Sequence, residues 1–349
     1  MESLRSILLP VSGLYGGAVS LRNFWYDREL LTVKKLPVPV ISVGNISVGG
    51  SGKTPFVMYL IEKLLSAGRK PSVLTRGYKR ISNELVISCP GHDSAQDVQS
   101  LGDEPALISQ NFPDVPVAVH PDRYRSGLEV IRKYGADVFI LDDGLQNREI
   151  HRDIDFILMK STMSDLKDHY LPAGNLRDSK RRLADADVVV LTSHGDAFSS
   201  NQDFAAVRRF SSSPVAGISY VPSRLIDMTG VAYPLDNLKG KEVAAFCGVA
   251  NPDRFFGNVA ALGASVVRKT KFRDHHWFDE YDIDEVFGGD EELLAVTTAK
   301  DAVRIFQDEE LSQLEDVRRI YAVSEQAVVN FGESDIDTAL DKIVVGAYA

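Results

Sequence analysis

Cysteine and tryptophan each occur only twice among the 349 residues. Cys89 and Cys247 lie far apart and lack the local Cys/His spacing of a zinc site, so neither a disulfide framework nor a structural zinc centre is expected; a reducing, cytosolic compartment is. A cationic excess is missing too: 39 Lys and Arg against 49 Asp and Glu leave a formal charge of -10. That balance argues against a general phosphate-tracking surface, so no nucleic-acid partner is expected. There is no low-complexity tract, no repeat of solenoid period, and no apolar run of about 20 residues able to span a bilayer. The segment that comes nearest, SILLPVSGLYGGAVSL, is interrupted by Pro10 and three glycines. Its Ala18-Val19-Ser20 triplet resembles a cleavage site, but with these interruptions and a nucleotide-type loop following, a secretory leader is not expected.

What is present is ordinary globular composition, 44% apolar and 25% charged, in a chain longer than the roughly 250 to 300 residues one core usually serves. Two cores are expected. Residues 4 to 30 carry Leu4, Ile7, Leu8, Val11, Leu14, Tyr15, Ala18, Leu21 and Trp25 at helical spacing, with Pro10 expected to bend or restart the helix. This apolar face fits either the protein core or a membrane surface. Arg5, Arg22, Arg28, Lys34 and Lys35 outnumber Glu2, Asp27 and Glu29, and Phe24, Trp25 and Tyr26 suit headgroup depth. From Val38 onward short apolar runs alternate with helical patterns, as in parallel βαβ units. PVISV, SVLTR, VPVAVH, DVFILDD, DFILMK and DVVVLTS read as strands, and TPFVMYLIEKLLSAG reads as a crossover helix ending at Gly68. The expectation is an α/β chain: an N-terminal membrane-contacting helix (1–35), a P-loop NTPase-like parallel-sheet domain (36–213), a linker (214–240) and a smaller α/β domain (241–349).

GNISVGGSGKT, residues 44 to 54, ends like a phosphate-binding loop but holds Ser47 where the usual pattern has its first glycine. A buried strand before it, clustered Gly49, Gly50 and Gly52, and an amphipathic helix behind it restore the assignment. Residues Ser47, Val48, Gly49, Gly50, Ser51, Gly52, Lys53 and Thr54 are accordingly the candidate nucleotide cradle. Lys53 would reach the terminal phosphates and Thr54 a magnesium ion. At the end of an apolar strand, DVFILDDG supplies Asp142 and Asp143 to hold that metal, without deciding between them. Leu141 stands where a guanine-nucleotide switch needs aspartate, and LTSHGD lacks the lysine of a guanine-reading motif. ATP is therefore the expected nucleotide.

GNISVGGSGKTP, LTRGYKR, GDEP, LDDGLQN, LPAGNLRD, FCGVANPDRF and DHH, in this order over nearly the whole chain, resemble the tetraacyldisaccharide 4'-kinase family. The family is similar in carrying serine at the position of Ser47. The resemblance implies transfer of the ATP γ-phosphate, with Mg2+, to the 4'-hydroxyl of an acylated glucosamine disaccharide 1-phosphate in lipid A biosynthesis. It implies a peripheral or monotopic place at the cytoplasmic face of the bacterial inner membrane, with no obligate protein partner. It matches Asp103 and Glu104 to a second acidic pair, Glu104 as a further candidate metal ligand. Asp103 becomes the candidate base, since an attacking hydroxyl must surrender its proton, and His275 its partner. Tyr78, Arg123 and Arg177 fall in similar stretches as candidate substrate contacts. Asn147 and Ala299 depart from the family pattern, replacing a histidine and an acid. The competing readings are a P-loop ATPase switch and a kinase of another small-molecule hydroxyl.

Overall fold

The computed structural model describes residues 2–77 (side chains from Ile7), 80, 84–93, 98–194, 198 and 204–344. Ten helices in that range are α1 (Glu2–Asp27), α2 (Lys53–Ser66), α3 (Val98–Leu101), α4 (Asp103–Asn111), α5 (Arg123–Tyr134), α6 (Ala205–Arg208), α7 (Pro252–Ala261), α8 (Glu280–Phe287), α9 (Ala299–Phe306) and α10 (Glu333–Val344). The strands are β1 (Val40–Asn45), β2 (Pro71–Thr75), β3 (Val86–Ser88), β4 (Val117–Val119), β5 (Val138–Asp142), β6 (Ile154–Lys160), β7 (Val188–His194), β8 (Val215–Ile226), β9 (Ala232–Tyr233), β10 (Glu242–Cys247), β11 (Ser265–Lys271), β12 (Leu294–Thr298) and β13 (Ile320–Phe331). They form one sheet in the order β11-β10-β12-β13-β8-β7-β6-β1-β5-β2-β4-β3, with β9 beside β8.

Within this sheet two parallel sets meet at a single antiparallel seam. From β4 to β8 every neighbouring pair is parallel, as are the pairs from β13 to β11, while β8 and β13 run antiparallel. Parallel strands covered on both faces must be apolar throughout, and β1 and β5 are buried at every residue. On one face Ile41, Val43 and Ile140 pack with Phe56, Val57, Leu60, Ile61 and Leu64 of α2. On the other, Val40, Phe139 and Leu141 pack with Val130 of α5. Ala244, Phe246 and Ala295 anchor a separate core with α8.

Residues 214–240, expected as a linker, contain the twelve-residue β8, which joins both parallel sets. The C-terminal helix does not stay with its own set: Ile336, Ala339, Leu340 and Ile343 of α10 join the α2 core. Lys63 fastens that return by bonds to Glu333 (2.7 Å) and Asp337 (3.0 Å).

Helix α1 runs unbroken through Pro10, since one missing amide removes one backbone bond and leaves the remainder intact. Its inward side is small and polar. Ser12, Val19 and Asn23 are buried, and Gly16 meets the Tyr170 ring so closely that an added Cβ would lie 2.6 Å from it. Asn23 donates to Asp178 Oδ1 at 2.8 Å, and Ser12 Oγ accepts from the Ala173 amide at 2.9 Å. The apolar residues face outward: Ile7 is 72% exposed, Leu14 78% and Leu21 49%, with Phe24 and Trp25 beside them. This is the reverse of a helix packed on a core. Among the described residues no helix is long and apolar enough to cross a membrane.

Candidate active site

The order β2-β5-β1-β6 gathers the carboxyl ends of these parallel strands at one edge, where chain reversals to either side of β1 leave a crevice. The loop from β1 to α2 lies there. Gly52 sits at φ 73 before α2, and no side chain caps the helix, so its first amides remain available to an anion. A Cβ at Gly52 would lie 2.0 Å from the Tyr220 ring. Tyr220 is fully buried and donates its hydroxyl to Gly52 O at 2.7 Å, so β8 supports the loop from below. Gly49 and Gly50 face open space. Ser47 is buried and bridges to Leu176, while the Val48 amide donates to Asn175 O at 2.8 Å. These bonds explain why a serine serves here: its backbone is tied to the 175–177 segment and needs no glycine freedom.

Asp142 and Asp143, adjacent at the end of β5, have opposite environments. Asp142 is 6% exposed, and its Oδ1 has no hydrogen-bond partner. Burial, then the neighbouring Asp143 charge, push its carboxyl up to about 6. Burial acts on Asp143 in the same direction, but hydrogen bonding to Arg177 and the charge of Lys53 overcome it and hold that carboxyl well below the usual range. Arg177 Nη1 donates to Asp143 Oδ2 at 2.7 Å, and its Nη2 reaches both Asp143 Oδ1 and Asn45 Oδ1. Lys53 Nζ lies 3.2 Å from Asn45 Oδ1 and 3.5 Å from Asp143 Oδ1. Asp143 takes φ 56, in the left-handed region that side chains enter at some cost.

The second acidic pair opens α4. Asp103, 7% exposed, receives His275 Nδ1 at 2.7 Å and Arg304 Nη2 at 2.9 Å, both on Oδ2. Burial would raise its carboxyl, but the bonds to His275 and Arg304 turn the balance and hold it below the ordinary value. Glu104 pairs with Lys300 at 2.7 Å, and this ion pair likewise overcomes burial to lower its carboxyl. His275 follows β11 at φ 62 and arrives from the second parallel set. Across the seam the structure thus links Lys53 and Arg177 to Asp143, places Asp142 within electrostatic reach of Lys53, Asp143 and Glu104, and brings His275 to Asp103; Thr54 is buried in the first turn of α2, next to Lys53.

Arg123 opens α5, within electrostatic reach of Asp143 and Asp142. Tyr78 lies outside the described residues. Asn147 has a buried Oδ1 without a partner. Ala299 leaves α9 capped by Thr298, which accepts from the Asp301 amide at 3.2 Å. Four residues of the site escaped sequence reasoning: Asn45, Lys300, Arg304 and the loop support Tyr220.

Hard oxygen donors suit magnesium, which takes one or two carboxylates and relies on substrate phosphates for the rest. The unpartnered oxygen of Asp142 fits that pattern, and Thr54, buried in the first turn of α2, carries a hydroxyl of the same hard-oxygen type. Asp143 and Glu104 are each engaged by a basic side chain. Among the described residues no group of three or more His, Cys, Asp or Glu forms a self-sufficient metal site.

A family model described as tetraacyldisaccharide-1-P 4'-kinase, LpxK, matches residues 4–345. The tetraacyldisaccharide 4'-kinase of Aquifex aeolicus is 40% identical over 302 residues, 86% of this chain and 90% of that protein. The one from Bdellovibrio bacteriovorus is 33% identical over 308 residues, 87% of this chain and 90% of its own. In structure the chain is similar to crystalline LpxK from Aquifex aeolicus in complex with ATP, with a TM-score of 0.82 at 36% identity, covering 98% of this chain and 99% of that one.

Proposed function

The chain belongs to the tetraacyldisaccharide-1-P 4'-kinase family, ATP-dependent kinases of lipid A biosynthesis, and from that premise we propose how its residues divide the reaction. ATP binds across the 47–54 loop, its phosphates on the uncapped amides of α2 and on Lys53. The bonds that now tie Lys53 to Asn45 and Asp143 hold its charge at the loop until phosphate arrives. Thr54 and Asp142 would hold Mg2+, while Asp143 is already engaged by Arg177. When bound, Mg2+ neutralises charge on the phosphates.

The 4'-hydroxyl of tetraacyldisaccharide 1-phosphate attacks the γ-phosphorus, and Asp103 accepts its proton as the bond to the β-phosphate oxygen breaks. The observation that carries this assignment is the His275–Asp103 bond of 2.7 Å, in which a residue from the second parallel set engages a buried carboxylate of the first. His275 orients the carboxylate. Arg123, at the start of α5 and within reach of Asp143, contacts the anionic substrate, while Arg177 remains on Asp143. The exposed apolar side of α1 rests on the cytoplasmic face of the inner membrane, from which an acylated substrate must be drawn.

Thin-layer separation of radiolabelled phosphate tests the reading, with purified protein, detergent, Mg2+ and tetraacyldisaccharide 1-phosphate. Labelled lipid should form, vanish with chelator and vanish in Lys53→Met. ATP hydrolysis at an equal rate without the lipid would point to a nucleotide switch and against this reading.

A further inference from the structure

Helix α9 carries Lys300 and Arg304 one turn apart, and they meet successive carboxylates, Glu104 and Asp103, in the first turn of α4. The two pairs differ in depth. Arg304 is 3% exposed and Asp301 fully buried. Asp301 Oδ2 accepts from the Gly248 amide at 3.0 Å and from Thr298 Oγ1 at 2.7 Å, and its Oδ1 accepts from Arg304 Nη1 at 3.1 Å. The same Nη1 donates to the backbone carbonyl of His276 at 2.7 Å. Arg304 Nη2 then reaches Asp103. One guanidinium therefore holds the candidate base and the residue that follows its histidine partner. Since His275 and Arg304 both bond to Oδ2, Asp103 Oδ1 carries neither bond.

We propose that Arg304, anchored by Asp301, is a positioning residue that fixes the Asp103 carboxylate against the His275 segment, so that Oδ1 meets the acceptor hydroxyl. The inference rests on the reading of Asp103 as the base. A rigid planar donor fork suits the task, since it can hold three partners in one plane. A buried ion pair also occurs as plain scaffolding, so the test must separate placement from stability.

A double-mutant cycle separates them. Arg304→Met should lower kcat about ten- to a hundredfold, the scale on which small misplacements act, while ATP affinity and acceptor KM stay within about twofold. In an Asp103→Asn background it should cost nothing further, because there is no longer a base to place. Arg304→Lys should recover part of the loss, a single ammonium replacing a fork. Should thermal melting show Arg304→Met to be unfolded, Asp301→Asn takes its place: it keeps the guanidinium, removes the negative charge that anchors it and should lower kcat in the same Asp103-dependent way. Equal losses in both backgrounds, or a raised KM at unchanged kcat, would overturn the proposal and leave the base reading intact. Near-normal turnover of Asp103→Asn itself would instead remove the base reading, and this inference with it.

Discussion

Replacing Asp142 by asparagine should make the protein more stable and less active, by an amount set by the site's electrostatics. The carboxyl is 6% exposed, has an oxygen without a partner, and is pushed up to about 6 from an ordinary value of 3.8. A group whose pKa is raised by folding contributes stability that is full below its unfolded value and is lost as pH rises through its folded value. The wild type should lose about 3 kcal/mol between about pH 4 and pH 6, two pH units at about 1.4 kcal/mol each. Asparagine has the same shape, carries no charge, and can donate to the Thr75 hydroxyl, which now lies 3.5 Å from Asp142 Oδ2. At about 2.1 cal/mol/K per residue, the unfolding entropy of 349 residues turns 3 kcal/mol into about 4 °C. Scanning fluorimetry without nucleotide should show no difference at pH 4 and a variant melting about 4 °C higher at pH 7.5. Turnover with Mg2+ should collapse in the same variant. A variant less stable at pH 7.5, or a gap independent of pH, would refute the reasoning.

At Gly52, alanine meets both a left-handed backbone and the Tyr220 ring; the strain and overpacking together should cost about 2–5 kcal/mol, seen as a lower Tm and weaker ATP binding by calorimetry. Leu14→Asp combined with Leu21→Asp should abolish flotation with anionic liposomes while moving stability by no more than about 0.5 kcal/mol per exposed site; retained flotation would remove α1 from the membrane contact. Asn23→Ala strips a partner from the fully buried Asp178 and should loosen α1 by about 1–3 kcal/mol, read as faster cleavage near residue 27 in limited proteolysis.

The strands, the nucleotide loop and the Asp142–Asp143 pair were legible because each is a local pattern: an apolar run, a glycine cluster before an amphipathic helix, carboxylates at a strand end. Asp103 and Glu104, in the first turn of α4, have no such local signal and were singled out only by the order of motifs shared with the family. Arg304 and Lys300 were not. A Lys and an Arg four apart on a helix read the same whether they face water or a carboxylate 196 or more positions away in the chain. Strand β8 hid for another reason. Its Gly217 and Pro222 discourage a strand reading, yet Gly217 makes room for the Phe331 ring and Pro222 sits where the register with β13 shifts. Helical spacing in α1 identified the residues sharing a face but not the direction of that face. The answer came from Ser12, Gly16 and Asn23, small or polar residues whose fit depends on Tyr170, Ala173 and Asp178.

The central claim is that Asp103 takes the proton of the acceptor hydroxyl. Rapid-quench phosphoryl transfer by Asp103→Asn, with ATP and acceptor saturating and ATP affinity measured alongside, tests it most directly. The account predicts a fall in the chemical step of about a hundredfold or more with ATP affinity unchanged. A chemical step near the wild-type rate, or a loss explained entirely by weakened ATP binding, would contradict it.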